Sequence, residues 1–419
     1  MRVKYVTVYE WIIYIIIILN LGFFNVFSSY SRLVTFMTAI LAVILSIIYY
    51  LHPIYRFSDT TAKLLQLYII CLIFIYFWNI IKVFAGVKSS ASIGTLFMSE
   101  SGWFLLLVSF PFAAILKEKN FQFLKNIAYL GLVILIVKFL VWFLYNYFSL
   151  LIAPGYFRLG LGWQRSIGGK VFTRMDGTFL DPFTFLYFYI KFRNSEKNSD
   201  RIYCAIPILF CLFYEYFVYQ SRSNVLYFIL TIFITELFLS LKSRNKTLSI
   251  GVFLLISSLL FIIFKDYIVS FLNTFNPNDT MNAYSNSSAA RIFEINYFGN
   301  LWKSSNIFTG FGLINDTNIV GNSHLYISDI GILGYLFEYG YIGFFIFIFP
   351  FLLGLVILIK NKISRNNIVE SLLVMLNIYL IIGQVNLNPY WYTSAMLMPI
   401  FIGLLLYFEN EANLKSNYS

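Results

Sequence analysis

Charged residues are scarce in this chain. Of its 419 residues only 12% are charged, whereas 59% are hydrophobic and the mean hydropathy is +0.76. In a soluble globular domain about a quarter of the residues are charged. The composition therefore excludes a soluble enzyme, and it also excludes a disordered, collagen-like or disulfide-scaffold chain. The class that remains is a polytopic membrane protein.

Residues that bind transition metals are also few. The three cysteines, Cys71, Cys204 and Cys211, all lie in apolar runs, which predicts buried small side chains rather than a disulfide framework. The two histidines, His52 and His324, are far apart in sequence. Because no cysteine or histidine cluster has the spacing of zinc ligands, we expect no zinc site. We expect no cofactor either.

Long apolar runs occupy most of the chain. They lie at 11–28, 33–51, 64–86, 100–116, 127–148, 178–192, 202–219, 224–240, 249–264, 335–359, 368–385 and 394–408. A helix needs about 20 apolar residues to cross a membrane. The predicted fold class is therefore all-α, with about 12 transmembrane helices in a single membrane domain over residues 1–419 and a long loop between spans 9 and 10.

The basic residues indicate the orientation in the membrane. The net charge is +11, and with the N-terminus inside, the inner segments hold the larger share of the 30 lysines and arginines. The positive-inside rule then predicts a multi-pass protein of the plasma membrane with both termini in the cytoplasm. Because topology accounts for the basic residues, nucleic acid is a poor explanation for the basic isoelectric point.

Two outer loops depart from this charge pattern. The loop at 149–177 is basic, because it contains Arg158, Arg165, Lys170 and Arg174 and a single acidic residue, Asp176. The long loop at 265–334 is weakly acidic and rich in Asn, Ser, Gly and Thr. A basic outer loop opposite an acidic one is not needed for insertion, so it predicts a surface that binds an anion.

Part of the long loop has a helical pattern. Residues 289–302 place Ile295, Phe298 and Trp302 on one apolar stripe, and Arg291 lies on the same stripe. We expect a short interfacial helix docked on the membrane domain. Arg291 either pairs with Glu294 at the helix surface or binds a ligand.

Arg222 is the second arginine in an unusual place. It lies in the turn 219–224, between two apolar runs with almost no loop between them. Either its side chain snorkels to the membrane surface or it enters a polar cavity. The fork of a guanidinium suits phosphate oxygens better than a lysine does.

Three residues are candidates for a general base. His324 is the only histidine in an outer loop, and Asp329 and Glu338 lie near the top of the next span. Glu338 precedes Gly340 and Gly343, where backbones can approach closely. A third acidic residue, Asp181, is expected to be a helix N-cap ahead of Pro182.

Several short motifs occur in a familiar order between residues 170 and 350. They are Gly177-Thr178-Phe179-Leu180-Asp181-Pro182, Ser221-Arg222-Ser223, Arg291, Gly310-Phe311-Gly312, Ser323-His324 and Glu338-Tyr339-Gly340-Tyr341-Ile342-Gly343. Their order along the chain and the side of the membrane on which they are expected resemble those of motifs in the bacterial O-antigen polymerase and ligase superfamily.

This resemblance implies a metal-independent glycosyltransferase of the membrane-embedded C type, which acts on undecaprenyl-diphosphate-linked sugars outside the plasma membrane. Arg222 and Arg291 match the diphosphate-binding arginines of the family, and His324 matches the histidine of its long loop. The candidate substrate-binding residues, from the charge pattern of the outer loops and the rival bases, are Arg158, Arg165, Lys170, Arg174, Asp329 and Glu338. The implied partners are lipid-linked oligosaccharides, membrane lipid, a chain-length regulator and a flippase.

The leading functional expectation is a Wzy-type polymerase for O-antigen or capsule. An O-antigen ligase, which transfers the glycan to the lipid A core, has the same arginines and histidine. A lipid-linked oligosaccharide flippase is a rival of another class, but it should have ionisable residues inside several spans. The first outer loop, 28–31, lacks the acidic residues that metal-dependent membrane glycosyltransferases use.

Overall fold

The structure is a computed structural model. It describes residues 2–23, 31–84, 100–119, 121–157, 164–167, 170–242, 285–312, 318–320, 323–386, 388–390 and 394–417, and single positions at 94, 251, 258, 265 and 269.

Helices dominate the part of the chain that the structure describes. The helices are α1 (Arg2–Asn20), α2 (Ser31–Leu51), α3 (Thr60–Phe84), α4 (Ser109–Lys119), α5 (Phe121–Phe148), α6 (Asp181–Asn194), α7 (Asn198–Phe213), α8 (Arg222–Leu241), α9 (Ser285–Lys303), α10 (Ile332–Lys360), α11 (Ile368–Gly383) and α12 (Leu397–Asn417). A 3-10 helix, Ser101–Val108, leads into α4, and a π-helix, Tyr214–Val218, extends α7.

Seven segments of the described chain are long and apolar enough to cross a membrane. They are Leu33–Leu51, Thr60–Ile81, Ser101–Lys119, Phe121–Phe148, Asn198–Val218, Arg222–Leu241 and Ile332–Lys360. Two shorter apolar helices are Tyr5–Asn20 and Ile368–Gly383. The protein is therefore a helical protein of the membrane type, as the composition predicts.

The helices agree closely with the apolar runs. Each predicted run except 249–264 contains a helix, and that run lies outside the described residues apart from positions 251 and 258. The predicted short helix of the long loop is present as α9. Two antiparallel hairpins were not predicted: β1 (Gln164–Ile167) with β2 (Lys170–Thr173), and β3 (Asn318–Val320) with β4 (Ser323–Leu325).

Large apolar side chains project outward from the helices. On α3, Leu67, Ile70 and Phe74 are exposed, whereas Leu65, Leu72 and Tyr76 are buried. Side chains three or four residues apart share one helix face. A continuous apolar outer face is expected where a helix contacts lipid.

Ionic contacts join helix ends at one end of the bundle. Arg193 at the end of α6 lies 2.9 Å from Glu236 of α8, and Arg365 lies 2.6 Å from the same carboxylate. Lys117 of α4 lies 3.7 Å from Glu411 of α12, and Lys119 binds Glu10 of α1. The basic segments that the charge rule places in the cytoplasm therefore lie together, beside the first and last helices.

Candidate anion-binding site

A tight turn at the other end of the bundle holds Arg222. We call residues 219–222 the basic turn. Gln220 has a φ of +56°, a region that residues with a side chain seldom adopt, and Ser221 donates its N–H to the Glu215 carbonyl at 2.8 Å. Ser221 Oγ accepts the N–H of Asn224 and so caps α8. Arg222, 7% exposed, is the first residue of that helix, where the helix dipole also favours an anion.

The basic outer loop docks on this turn through two arginines. Arg165 Nη1 donates to the Gln220 carbonyl at 3.2 Å, and Arg174 Nε donates to the Tyr219 carbonyl at 3.0 Å. The Arg174 guanidinium also lies 5.7 Å from the centre of the Tyr219 ring. Three predicted site arginines, Arg165, Arg174 and Arg222, therefore gather at one place.

The other two basic residues of that loop are not part of this group. Lys170 is exposed at the start of β2. Arg158 lies outside the described residues.

Arg291 approaches the same helix from the long loop. Its charge acts on the hydroxyl of Tyr227 in α8. Tyr227 is five residues after Arg222, which is about 7.5 Å along a helix axis. The Tyr227 hydroxyl donates to Asn386, in the turn after α11. The Nε atom of Arg291 is buried and has no hydrogen-bond partner among the described residues.

The surface ion pair considered for Arg291 is not formed. Glu294 is only 2% exposed and accepts the Tyr326 N–H at 2.9 Å, and no salt bridge joins it to Arg291 within the described structure. Burial raises the pKa of Glu294 to about 7, and the nearby Asp329 raises it too, against the lowering effects of the Tyr326 N–H and Arg291.

The buried stripe of α9 differs from the predicted one. Phe298 is fully buried and Trp302 is partly buried, as expected, but Ile295 is exposed. Glu294 takes the place of Ile295 because the Tyr326 N–H binds its carboxylate. Phe298 packs with Leu325, Ile327, Ile330 and Phe337, so α9 is docked on α10 and on the segment before it.

The candidate bases lie close to α9 and α10. Asp329 is exposed in a short 3-10 helix, Ile327–Ile330, and acts electrostatically on Glu294. His324 pairs with Ile319 in the β3–β4 hairpin and is two residues from Tyr326. Its side chain lies outside the described part of the structure.

Glu338 lies at a break in α10. Gly340 has a φ of +64° and interrupts the helix, and segment 306–312 docks there. Phe311 and Gly312 donate to the carbonyls of Phe337 and Glu338 at 3.1 and 2.9 Å. A Cβ at Gly340 would lie 2.3 Å from the carbonyl carbon of Phe308, which is the close backbone approach expected there. The Glu338 side chain is buried near Tyr335 and Tyr339.

Buried ionisable residues also lie within the apolar runs. Lys138 of α5 and Glu215 of the π-helix are buried, and neither was a predicted site residue. Asp181 is the first residue of α6 rather than its N-cap, which is Leu180, and its carboxylate accepts the Thr178 N–H at 2.7 Å. An ionisable residue inside an apolar run is itself a signal of function, and it could have identified Lys138 and Glu215.

No protein-family model, curated protein or solved structure matches this chain. Among the described residues, no group of three histidine, cysteine, aspartate or glutamate side chains could hold a metal ion. Three guanidinium groups and a helix N-terminus at one turn, with Arg291 of α9 beside the same helix, form a surface that suits a di- or polyanion.

Proposed function

We propose that this chain is a Wzy-type polysaccharide polymerase, a metal-independent glycosyltransferase of the C type with about 12 spans. It transfers a growing O-antigen or capsule glycan from undecaprenyl diphosphate to the next lipid-linked repeat unit. The observation that carries this proposal is the gathering of Arg165, Arg174 and Arg222 at the basic turn, with Arg291 beside α8. A lipid diphosphate has the charge that such a cluster needs.

The arginines stabilise the leaving group. An acceptor hydroxyl attacks the anomeric carbon of the growing glycan, the bond from that carbon to the diphosphate oxygen breaks, and the hydroxyl proton passes to a base. Arg222 and Arg291 bind the diphosphate as its negative charge increases. His324, Asp329 and Glu338 are the candidate bases, and Asp329 acts electrostatically on Glu294 of α9.

The proposed setting is the outer face of a bacterial plasma membrane, with both termini in the cytoplasm. The basic turn and α9 then face outward, where lipid-linked repeat units arrive from a flippase. A chain-length regulator is the other proposed partner.

Two other functions use parts of the same site. A ligase would use the same arginines but would transfer the glycan to the lipid A core. A lipid-linked oligosaccharide flippase is favoured by the buried Lys138, Asp181 and Glu215, because transporters use ionisable residues at membrane depth.

Reconstitution with undecaprenyl-diphosphate-linked repeat units tests the polymerase. We expect a ladder of glycan lengths that forms without lipid A. Arg291→Ala should lower turnover by about 10²–10³-fold, as loss of one preorganised donor does. Arg291→Lys should recover only part of the rate, because lysine keeps the charge but loses the fork.

Lys303→Ala is the matched control, since Lys303 is an exposed cation at the end of the same helix. Its turnover should equal that of the unmodified protein. A product formed only when lipid A core is added would identify a ligase instead. Movement of the lipid between leaflets without any glycan transfer would identify a flippase.

A further inference from the structure

A buried carboxyl pair lies next to the basic turn. Asp181 of α6 and Glu215 of the π-helix approach each other to hydrogen-bonding distance. The two residues are only 2% and 1% exposed. They are 34 positions apart in sequence, so tertiary packing brings them together.

One carboxylate oxygen of this pair has no hydrogen-bond donor among the described residues. Asp181 accepts from the N–H and the hydroxyl of Thr178, and Glu215 Oε2 accepts from Asn224 Nδ2 at 2.9 Å. Glu215 Oε1 is buried and has no hydrogen-bond partner among the described residues. Two ionised carboxylates only accept hydrogen bonds, so they can bond to each other only when one of them carries a proton.

The charges around the pair also indicate that one of its carboxyl groups carries a proton. Lys138, 7% exposed, acts electrostatically on both carboxyl groups, and its Nζ donates to the carbonyls of Asp176 and Gly177 at 3.1 Å each. Two buried carboxylates opposite one ammonium group would leave an uncompensated negative charge, which is costly at low dielectric. One proton on the pair balances the charge.

The other described groups that act on the pair are neutral or acidic. They are Cys211 and Tyr214 of α7, Asn224 of α8, Tyr379 of α11, and Asp176 in the segment before α6. Asp176 is half-buried and would add negative charge, not remove it. Arg222 lies in the basic turn, and Arg174 donates to the Tyr219 carbonyl of that turn.

We propose that Asp181 and Glu215 together bind one proton, so that the pair is a proton-binding site with Lys138 as its counter-charge. Asn224 connects this site to the basic turn, since its N–H binds Ser221 and its side chain binds Glu215. The half-buried segment 176–178 lies against Asp181, since Thr178 donates to its carboxylate and a Cβ at Gly177 would meet the same group. The proposal requires no glycosyl transfer and holds for an enzyme or a transporter.

Infrared spectroscopy of the full-length protein in lipid vesicles at pH 7 tests this site. The carbonyl stretch of protonated carboxyl groups is separate from the bands of carboxylates and amides. We expect Glu215→Gln and Asp181→Asn each to remove the intensity of one protonated group. In either variant the new amide donates the hydrogen bond that the shared proton made. The remaining carboxyl group is then ionised, and its charge is balanced by Lys138.

Glu236→Gln is the matched control, because Glu236 is a buried carboxylate paired with Arg193 and Arg365. It should leave the protonated band unchanged. An unchanged band in both Glu215→Gln and Asp181→Asn would overturn the proposal, since both groups would then be ionised. If the variant with both substitutions lost the intensity of two protonated carboxyl groups, the proposal would also be overturned, since each carboxyl group would then hold its own proton. A melting curve identifies any variant that fails to fold, and the other variant then decides.

Discussion

Glu294 shows how one buried carboxyl group can set a pH dependence. Its pKa is raised to about 7 in the folded protein, above the ordinary glutamate value of 4.5, chiefly because the group is buried. The folded state therefore binds this proton more tightly than the unfolded state does. Its contribution to stability is fully present below pH 4.5 and is lost as the pH rises to about 7.

Glu294→Gln should remove this loss. Glutamine can still accept the Tyr326 N–H, but it does not ionise. We expect the variant to melt at a higher temperature than the unmodified protein above pH 7, with little difference near pH 4.5. Melting in detergent at several pH values measures this. Glu196→Gln, at an exposed position, is the control. A melting difference that does not change with pH would show that Glu294 does not titrate in this range.

The site arginines could be predicted from their sequence context, whereas their contacts could not. Arg222 lies between two apolar runs and Arg291 lies on an apolar stripe. Placing a charge in apolar surroundings costs free energy, and that cost suggested a functional role for both residues. Arg165 and Arg174 bind backbone carbonyls of the basic turn. Every residue has a carbonyl, so no pattern of side chains reveals such a partner.

At the level of elements, the break in α10 connects the long loop to the bundle. Segment 306–312 exchanges backbone hydrogen bonds with residues 337–342, including Tyr341 N–H to the Ile307 carbonyl at 3.1 Å. Gly340 makes this possible, because its φ of +64° and ψ of −167° belong almost only to glycine. The sequence indicated close approach at Gly340, but not which segment would approach.

Gly340→Ala should destabilise the protein strongly. Its Cβ would lie 2.3–2.5 Å from backbone atoms of Phe308 and Thr309, and the backbone conformation alone would cost about 1–3 kcal/mol. We expect a lower melting temperature and a lower yield of folded protein. Gly299→Ala is the matched control, since its Cβ would meet only the Phe337 ring at 3.6 Å and α9 is a regular helix there. Equal melting temperatures for the two variants would contradict the role given to Gly340.

For the whole molecule, apolar periodicity predicted most of the architecture. The helices follow the apolar runs because each run must bury its backbone polar groups in its own hydrogen bonds. The two hairpins were missed because their strands are only three or four residues long and lie in polar loops. The carboxyl pair was missed because its members come from different helices, and no local pattern joins Asp181 to Glu215.

The orientation of the molecule gives the last prediction. The ends that carry Arg193, Lys242 and Lys360 lie together, opposite the basic turn, so one labelling experiment fixes both faces. Ser304 follows α9, Ser364 lies between α10 and α11, and both are exposed. With the N-terminus inside, a membrane-impermeant maleimide should label Ser304→Cys in intact spheroplasts and should label Ser364→Cys only after lysis. The unmodified protein, with its own three cysteines, is the control. The reverse pattern would place the basic turn in the cytoplasm, away from the lipid-linked repeat units that the proposed polymerase uses.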